Sequence, residues 1–191
     1  MIDIYDNVLE EHNAILVDDT VKQLSWKYDY SSQLKKPNKH WHIICGHNVE
    51  ECTEAGYDWT HNIFETAMHK YKFKEKYDVD TYLRIYMNAH THGIEPHFHV
   101  DDGDFTMIYY PRLDWKLEYG GGTYIDGDLV EYKGNRLVVF DAPLLHSAMP
   151  VSRECYHLRT CVVFKCTKTD SNVNFFRNAI KGNKFEVKNI N

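Results

Sequence analysis

The chain has 191 residues, 43% hydrophobic and 26% charged, with 28 acidic against 22 basic residues and a formal charge of −6. That length predicts one domain able to bury a sizeable core without staples, and the aromatic content argues against disorder. The acidic balance, without long Lys/Arg runs, disfavours a nucleic-acid coat protein. No apolar run approaches the ~20 residues of a membrane span, and the opening Met1-Ile2-Asp3-Ile4-Tyr5 is unlike a signal peptide, so an intracellular, soluble, cytoplasmic protein is expected.

In chain order, Ala14, Val17, Val21 and Leu24 recur at helical spacing. Residues 27 to 58 show no clear period and read mostly as loop, with a short strand near Trp41–Cys45. A second helix is expected over Thr60–Tyr71, with Ile63, Phe64, Ala67, Met68 and Tyr71 as its stripe and Thr60 as N-cap. After Asp80 the character changes. Thr81–Met87, Phe105–Tyr110, Thr123–Ile125, Leu129–Tyr132, Arg136–Phe140 and Leu158–Cys166 read as strands separated by Gly/Asp turns. Many short strands with few helices predict an antiparallel sandwich or barrel. A last helix is expected over Val173–Ile180, stopped by Gly182. The expected organisation is one domain: a helical and irregular support region over 1–78, a β core over 79–167 and a C-terminal helix and tail over 168–191.

The five cysteines are odd in number and form no Cys-x-x-Cys pair, so they read as reduced, packed thiols. The 12 histidines are more informative. His90, His92, His97 and His99 crowd into ten residues ahead of Asp101-Asp102. Residues two apart on a strand share a face, so His99 and Asp101 can present an imidazole and a carboxylate to one point; His97/His99 is a competing pair. His146 arrives later, after the strand ending at Phe140. Two imidazoles and one carboxylate on one face of a metal form the triad of non-haem Fe(II) oxygenases. Arg159 shares a strand face with Cys161 and Val163; buried there, it needs an anion, and its planar fork suits a ligand carboxylate. The plain alternative is an ion pair within the protein.

With these residues the sequence resembles the 2-oxoglutarate/Fe(II)-dependent dioxygenases, within them the prolyl-hydroxylase-like branch. The matching stretch runs from His99-Val100-Asp101 through Thr106-Met107-Ile108-Tyr109-Tyr110, Trp115, Gly121-Gly122-Thr123 and Gly134-Asn135-Arg136-Leu137-Val138-Val139-Phe140 to His146, Pro150-Val151 and Arg159. The resemblance covers roughly residues 80 to 166. It implies a mainly β (α+β) fold, a double-stranded β-helix or jelly roll with flanking N-terminal helices. It implies that His99, Asp101 and His146 bind Fe(II) and are the catalytic centre, that Arg159 holds the far carboxylate of the cosubstrate 2-oxoglutarate, and that Tyr110, Thr106 and Tyr86 line that pocket. It implies hydroxylation of a C–H bond by dioxygen, a prolyl residue in a peptide or protein being the leading substrate, with release of succinate and CO2 and with ascorbate as a candidate reductant. Small-molecule substrates stay open. Two departures stand out: the interval from His146 to Arg159 is longer than usual, making Arg153 a rival anion binder, and Gly122 stands before Thr123 where an acidic residue is common.

Three rival readings compete. Alkylation-repair dioxygenases acting on nucleic acid share a His-x-Asp-Asp run like His99–Asp102, but show a second Arg six residues after the cosubstrate Arg, where this chain has Lys165. A cupin-like metal site would use His97, His99, Asp104 and His146. A non-enzymatic jelly-roll binding module would explain the Tyr and Trp richness.

Overall fold

A computed structural model describes residues 1–31 and 39–169. The helix expected over Val173–Ile180 lies outside the described residues. Among those described, strands β1 (Ile2–Asp6), β2 (Lys27–Tyr30), β3 (His40–Gly46), β4 (Val79–His90), β5 (Phe105–Tyr110), β6 (Thr123–Ile125), β7 (Asp128–Val130), β8 (Arg136–Asp141), β9 (His146–Ala148) and β10 (Arg159–Lys168) alternate with helices α1 (Glu11–Gln23), α2 (Val49–Glu54), α3 (Asp58–Tyr71) and α4 (Phe73–Tyr77). Seven strands form one antiparallel sheet in the order β1-β8-β5-β10-β4-β3-β2; β7-β6-β9 form a second. Mostly antiparallel sheets with few helices make a jelly roll, as the resemblance implied.

Period-two alternation builds two cores. Met107 and Tyr109 of β5, Leu137 and Val139 of β8, and Val162 and Phe164 of β10 face the helices, where they meet Val17, Val21, Ile63 and Phe64. Their neighbours Ile108 and Tyr110, Val138 and Phe140, and Cys161 and Val163 face the interior between the sheets, against Ile125, Val130 and Trp115. Strands sandwiched this way are apolar on both faces, which is why all six residues of β5 are buried. The interior face of the large sheet is where the pocket opens.

Three local expectations need correction. Thr60 sits inside α3 and bonds through Oγ1 to the Tyr57 carbonyl, so Tyr57 holds the cap position. The described residues of 27–58 carry two strands and a helix rather than mostly loop; Asn48 caps α2 by accepting from Glu51 N. The N-terminus supplies β1, paired with β8 from Ile2↔Phe140 to Asp6↔Arg136. No helix among the described residues is long and apolar enough to cross a membrane.

Asn135 fastens the lead-in to the sheet. It has a left-handed φ of 58°, a conformation Asn tolerates better than most residues. Its buried amide accepts from Leu9 N at 2.9 Å, donates to Leu9 O at 2.9 Å and accepts from the Tyr109 hydroxyl. Asn135→Ala strands these groups, and the expected loss is about 3 kcal/mol, read as a lower urea midpoint at unchanged slope. A midpoint within error of the parent would refute this role.

Candidate active site

The interior face of β5 and β10 fixes one side of the site. Thr106 lies on β5 with Ile108 and Tyr110; Arg159, Cys161, Val163 and Lys165 follow one another on β10, and all of these but Tyr110 line one pocket. The register pairs Lys165 with Thr106 and Val163 with Ile108.

His99 and His146 are held face to face by a two-bond antiparallel bridge, His99 N to His146 O at 3.0 Å and His146 N to His99 O at 2.9 Å. The His99–Asp101 segment is extended but makes only this bridge, not a regular strand. Each imidazole is oriented the same way: Nδ1 of His99 lies 2.8 Å from the His97 carbonyl and Nδ1 of His146 lies 2.8 Å from the Leu144 carbonyl. A carbonyl only accepts, so both Nδ1 atoms carry a proton and each ring turns its Nε2 toward the site as the candidate ligand atom. Nε2 of His146 lies 3.1 Å from Asp101 Oδ2, and Nε2 of His99 lies 3.7 Å from Asp101 Oδ1. The three donor atoms all fall within 4.8 Å of one another. Two imidazoles and a hard carboxylate at that separation fit a divalent transition metal on one face.

Asp101 is itself fixed. Its backbone N donates to the Ala142 carbonyl at 2.9 Å and its Oδ2 accepts from Thr106 Oγ1 at 2.7 Å. Burial alone would raise its carboxyl, but the Lys165 ammonium and the His146 imidazole outweigh that and hold it well below the usual carboxylate range. Lys165 forms an ion pair with it although almost wholly buried; burial lowers the ammonium's pKa against the opposing pull of Asp101. The alternation that placed Arg159, Cys161 and Val163 on one face predicts Lys165 one step further, but its partner is legible only once β10 is known to lie beside β5. Asp102 is no part of the donor set: Arg84 grips it with two bonds of 2.6 Å.

The other end of the pocket holds Arg159, 1% exposed. Its Nε donates to the Gly121 carbonyl at 2.5 Å and its Nη2 to Thr123 Oγ1 at 3.1 Å, and the guanidinium lies 5.7 Å from the Tyr110 and Tyr132 ring centres. Gly121, at φ +72°, permits this: a Cβ there would stand 3.1 Å from Arg159 Cγ. Among the described residues Arg159 has no ion-pair partner, so the plain alternative raised for it finds none there. The Tyr110 hydroxyl bonds Thr123 Oγ1 at 2.7 Å, so Tyr110 stands directly behind the hydroxyl that Arg159 uses. Tyr86 lines the pocket, its ring 5.6 Å from the Lys165 ammonium, and burial followed by the Asp101 charge raises its phenol well above the usual value.

Arg153 is exposed in a turn and does not line the pocket. His97 lines it but lies outside the three-residue donor cluster, and Asp104 is engaged with the backbone N of Lys168, which removes the geometric basis of a cupin-like set. Sequence reasoning missed His40, Asn88 and Lys165 as pocket residues and left His90 without a role.

Burial lowers the buried imidazoles: His40 falls to about 4, His90 is pushed well below its usual value, and His42 and His99 move in the same direction. The unfolded chain therefore takes up protons near pH 6.5 that the folded chain refuses. Stability is fully present above that pH and is lost as the pH falls from 6.5 towards 4. From His40 alone the expected loss is about 2 kcal/mol between pH 7 and pH 5, measured by urea unfolding of metal-free protein. A flat profile over that window would contradict it.

No protein-family model matches the sequence, and no curated protein matches it. Solved structures do match. A prolyl-4-hydroxylase of Pseudomonas putida superposes with a TM-score of 0.61 at 13% identity, over 86% of this chain and 92% of that one. HygX from Streptomyces hygroscopicus, with nickel and 2-oxoglutarate bound, gives 0.60 at 9% identity over 88% and 83%. The viral collagen prolyl hydroxylase of Paramecium Bursaria Chlorella virus-1 gives 0.54 at 11% identity over 87% and 90%. At such identities what is shared is the fold, and the chain has the jelly-roll fold of these prolyl hydroxylases and 2-oxoglutarate-binding proteins.

Proposed function

We propose that this chain is an Fe(II)- and 2-oxoglutarate-dependent oxygenase that hydroxylates a C–H bond. One observation carries the reading: the His99, Asp101 and His146 donors converge in the same pocket that holds a buried guanidinium with no anionic partner among the described residues. A metal cluster alone would suit many functions, and a buried arginine alone would suit a structural ion pair. Together they suit a metal and a dicarboxylic cosubstrate bound side by side.

Bound Fe(II), with 2-oxoglutarate and dioxygen, supplies the oxidising power for hydroxylation, and succinate and carbon dioxide leave. The residues of the chain bind and orient. His99, Asp101 and His146 would hold the metal on one face, their Nδ1 and carboxylate contacts fixing the donors in advance. Arg159 would take the far carboxylate in a bidentate pair, with Thr123 and Tyr110 bracing the guanidinium. Lys165 steadies the Asp101 charge, and Ile108 and Val163 line the pocket with apolar surface that excludes water.

The structural likeness to prolyl hydroxylases supports a prolyl residue in a peptide or protein as the substrate. A second reading, a small molecule, is supported by the likeness to HygX with hygromycin B bound, at a TM-score of 0.61 and 9% identity. Nucleic-acid repair draws no support from Asp102, which Arg84 occupies.

Co(II) at about a hundred times its dissociation constant is expected to stabilise the protein by about 2.7 kcal/mol, and 2-oxoglutarate at about a hundred times its own adds about as much again, but only when the metal is present. A binding module without this site would show no joint effect. Succinate release over prolyl peptides, free amino acids, aminoglycosides and methylated single-stranded DNA, with mass spectrometry for one added oxygen, identifies the substrate. Joint binding with no succinate from any arm would leave a binding protein and overturn the enzymatic reading.

A further inference from the structure

The pocket holds a second set of polar groups beside the His99, Asp101 and His146 donors. β3, β4 and β10 are consecutive neighbours in the large sheet. The register pairs Trp41 with Ala89 and His42 with Asn88, which sets His40 across from His90, and it pairs His90 with Arg159. Three basic side chains thus form one row across three strands, and all three line the pocket. The His40 and His90 rings stand 4.9 Å apart, and the two residues are 5% and 6% exposed. Nε2 of His40 and Nδ1 of His90 are buried with no hydrogen-bond partner among the described residues. Buried polar atoms are ordinarily paired, and here two imidazole nitrogens with no hydrogen-bond partner share a pocket wall with a guanidinium that has no ion-pair partner, in each case among the described residues.

The chemistry of the row selects an anion. Burial, and after it the neighbouring charge of Arg159, keeps His90 neutral; burial and His42 do the same for His40. A neutral imidazole places its proton on whichever nitrogen meets an acceptor. The row therefore offers N–H donors beside a fixed positive charge, with no carboxylate of the protein ion-paired to Arg159 among the described residues. An oxyanion satisfies all of them at once, whereas a cationic or apolar group would leave Arg159 uncompensated.

We propose that His40 and His90 are positioning residues of the Arg159 subsite, forming with it a three-strand cradle for the terminal carboxylate of a 2-oxo dicarboxylic acid. His90 donates Nδ1–H to a carboxylate oxygen held by Arg159, and His40 packs behind His90 and fixes its ring. This rests on the 2-oxoglutarate reading and extends it to residues of β3 and β4.

Calorimetric titration of the Co(II)-loaded protein tests it, with 2-oxoglutarate and with 2-oxopentanoate, which has the same chain but no terminal carboxylate. His90→Leu is expected to weaken 2-oxoglutarate about tenfold to a hundredfold, the range of one hydrogen bond to a charged group. Its affinity for 2-oxopentanoate and for Co(II) stays that of the parent, which also shows that the variant is folded. His90→Asn, which keeps a donor, regains part of the loss, and His40→Leu gives a smaller loss of the same selectivity. Equal weakening of both acids, or undiminished binding of 2-oxoglutarate by His90→Leu, overturns the proposal. If the parent itself fails to distinguish the two acids, the Arg159 subsite falls first and the cradle falls with it.

Discussion

Asp101→Ala is expected to release no succinate above background and to gain no thermal stability from Co(II). The carboxylate is the anionic member of the donor cluster. Without it His99 and His146 offer two imidazole nitrogens that hold a divalent ion weakly. The substitution has a second consequence, which separates this site from an ordinary surface cluster. Lys165 loses its partner while remaining buried, and breaking a buried pair from one side costs about 3–5 kcal/mol. The single variant is therefore less stable as well as inactive, and the two effects must be told apart. Asp101→Ala combined with Lys165→Met removes both charges, so most of the stability returns while succinate release does not. His99→Ala, which strands no charge, loses the response to metal with a much smaller change in the urea midpoint. Undiminished succinate from Asp101→Ala would sink the metal assignment whatever the stability showed.

The parts of this site that were legible in the sequence follow from strand periodicity. Thr106, Ile108 and Tyr110 alternate with Phe105, Met107 and Tyr109, and the structure sends the two sets to opposite faces of β5. Arg159, Cys161 and Val163 behave likewise on β10. Register was not legible, and the remaining site residues depend on register. Lys165 sits on a face already recognised, but lysine is seldom fully buried, and the aspartate that accounts for it lies on a loop beside another strand. His40 belongs to a segment without period because β3 borders the weakly buried β2, so nothing local marks its imidazole as facing a pocket. β1 escaped for a similar reason: Ile2–Asp6 is short and half polar, and only pairing with β8, more than a hundred residues away, makes it a strand. The long interval from His146 to Arg159 holds a turn at residues 153 and 154 that carries Arg153 to the surface.

Arg159→Met should separate function from stability in the opposite direction. The guanidinium is almost fully buried, it has no ion-pair partner among the described residues, and its compensation consists of the Gly121 carbonyl, the Thr123 hydroxyl, the Cys161 sulfur and the faces of Tyr110 and Tyr132. Keeping a charge in such surroundings costs several kcal/mol, and exchanging it for an apolar side chain of similar length is often neutral or stabilising. Against that stand two hydrogen bonds to oxygen worth about 1.5–3 kcal/mol each when one partner is charged and a weaker one to the Cys161 sulfur, though Thr123 retains its bond to Tyr110. The metal-free, cosubstrate-free variant is therefore expected to unfold at the same urea concentration as the parent or higher. Its affinity for 2-oxoglutarate should nevertheless fall at least a hundredfold, because a bidentate charge-assisted pair disappears, while Co(II) still binds at His99, Asp101 and His146. A residue retained for packing would behave in the reverse manner, lowering the midpoint and sparing the cosubstrate. If Arg159→Met unfolds early and still binds 2-oxoglutarate with parental affinity, Arg159 is a structural residue and the dicarboxylate reading of the pocket is wrong.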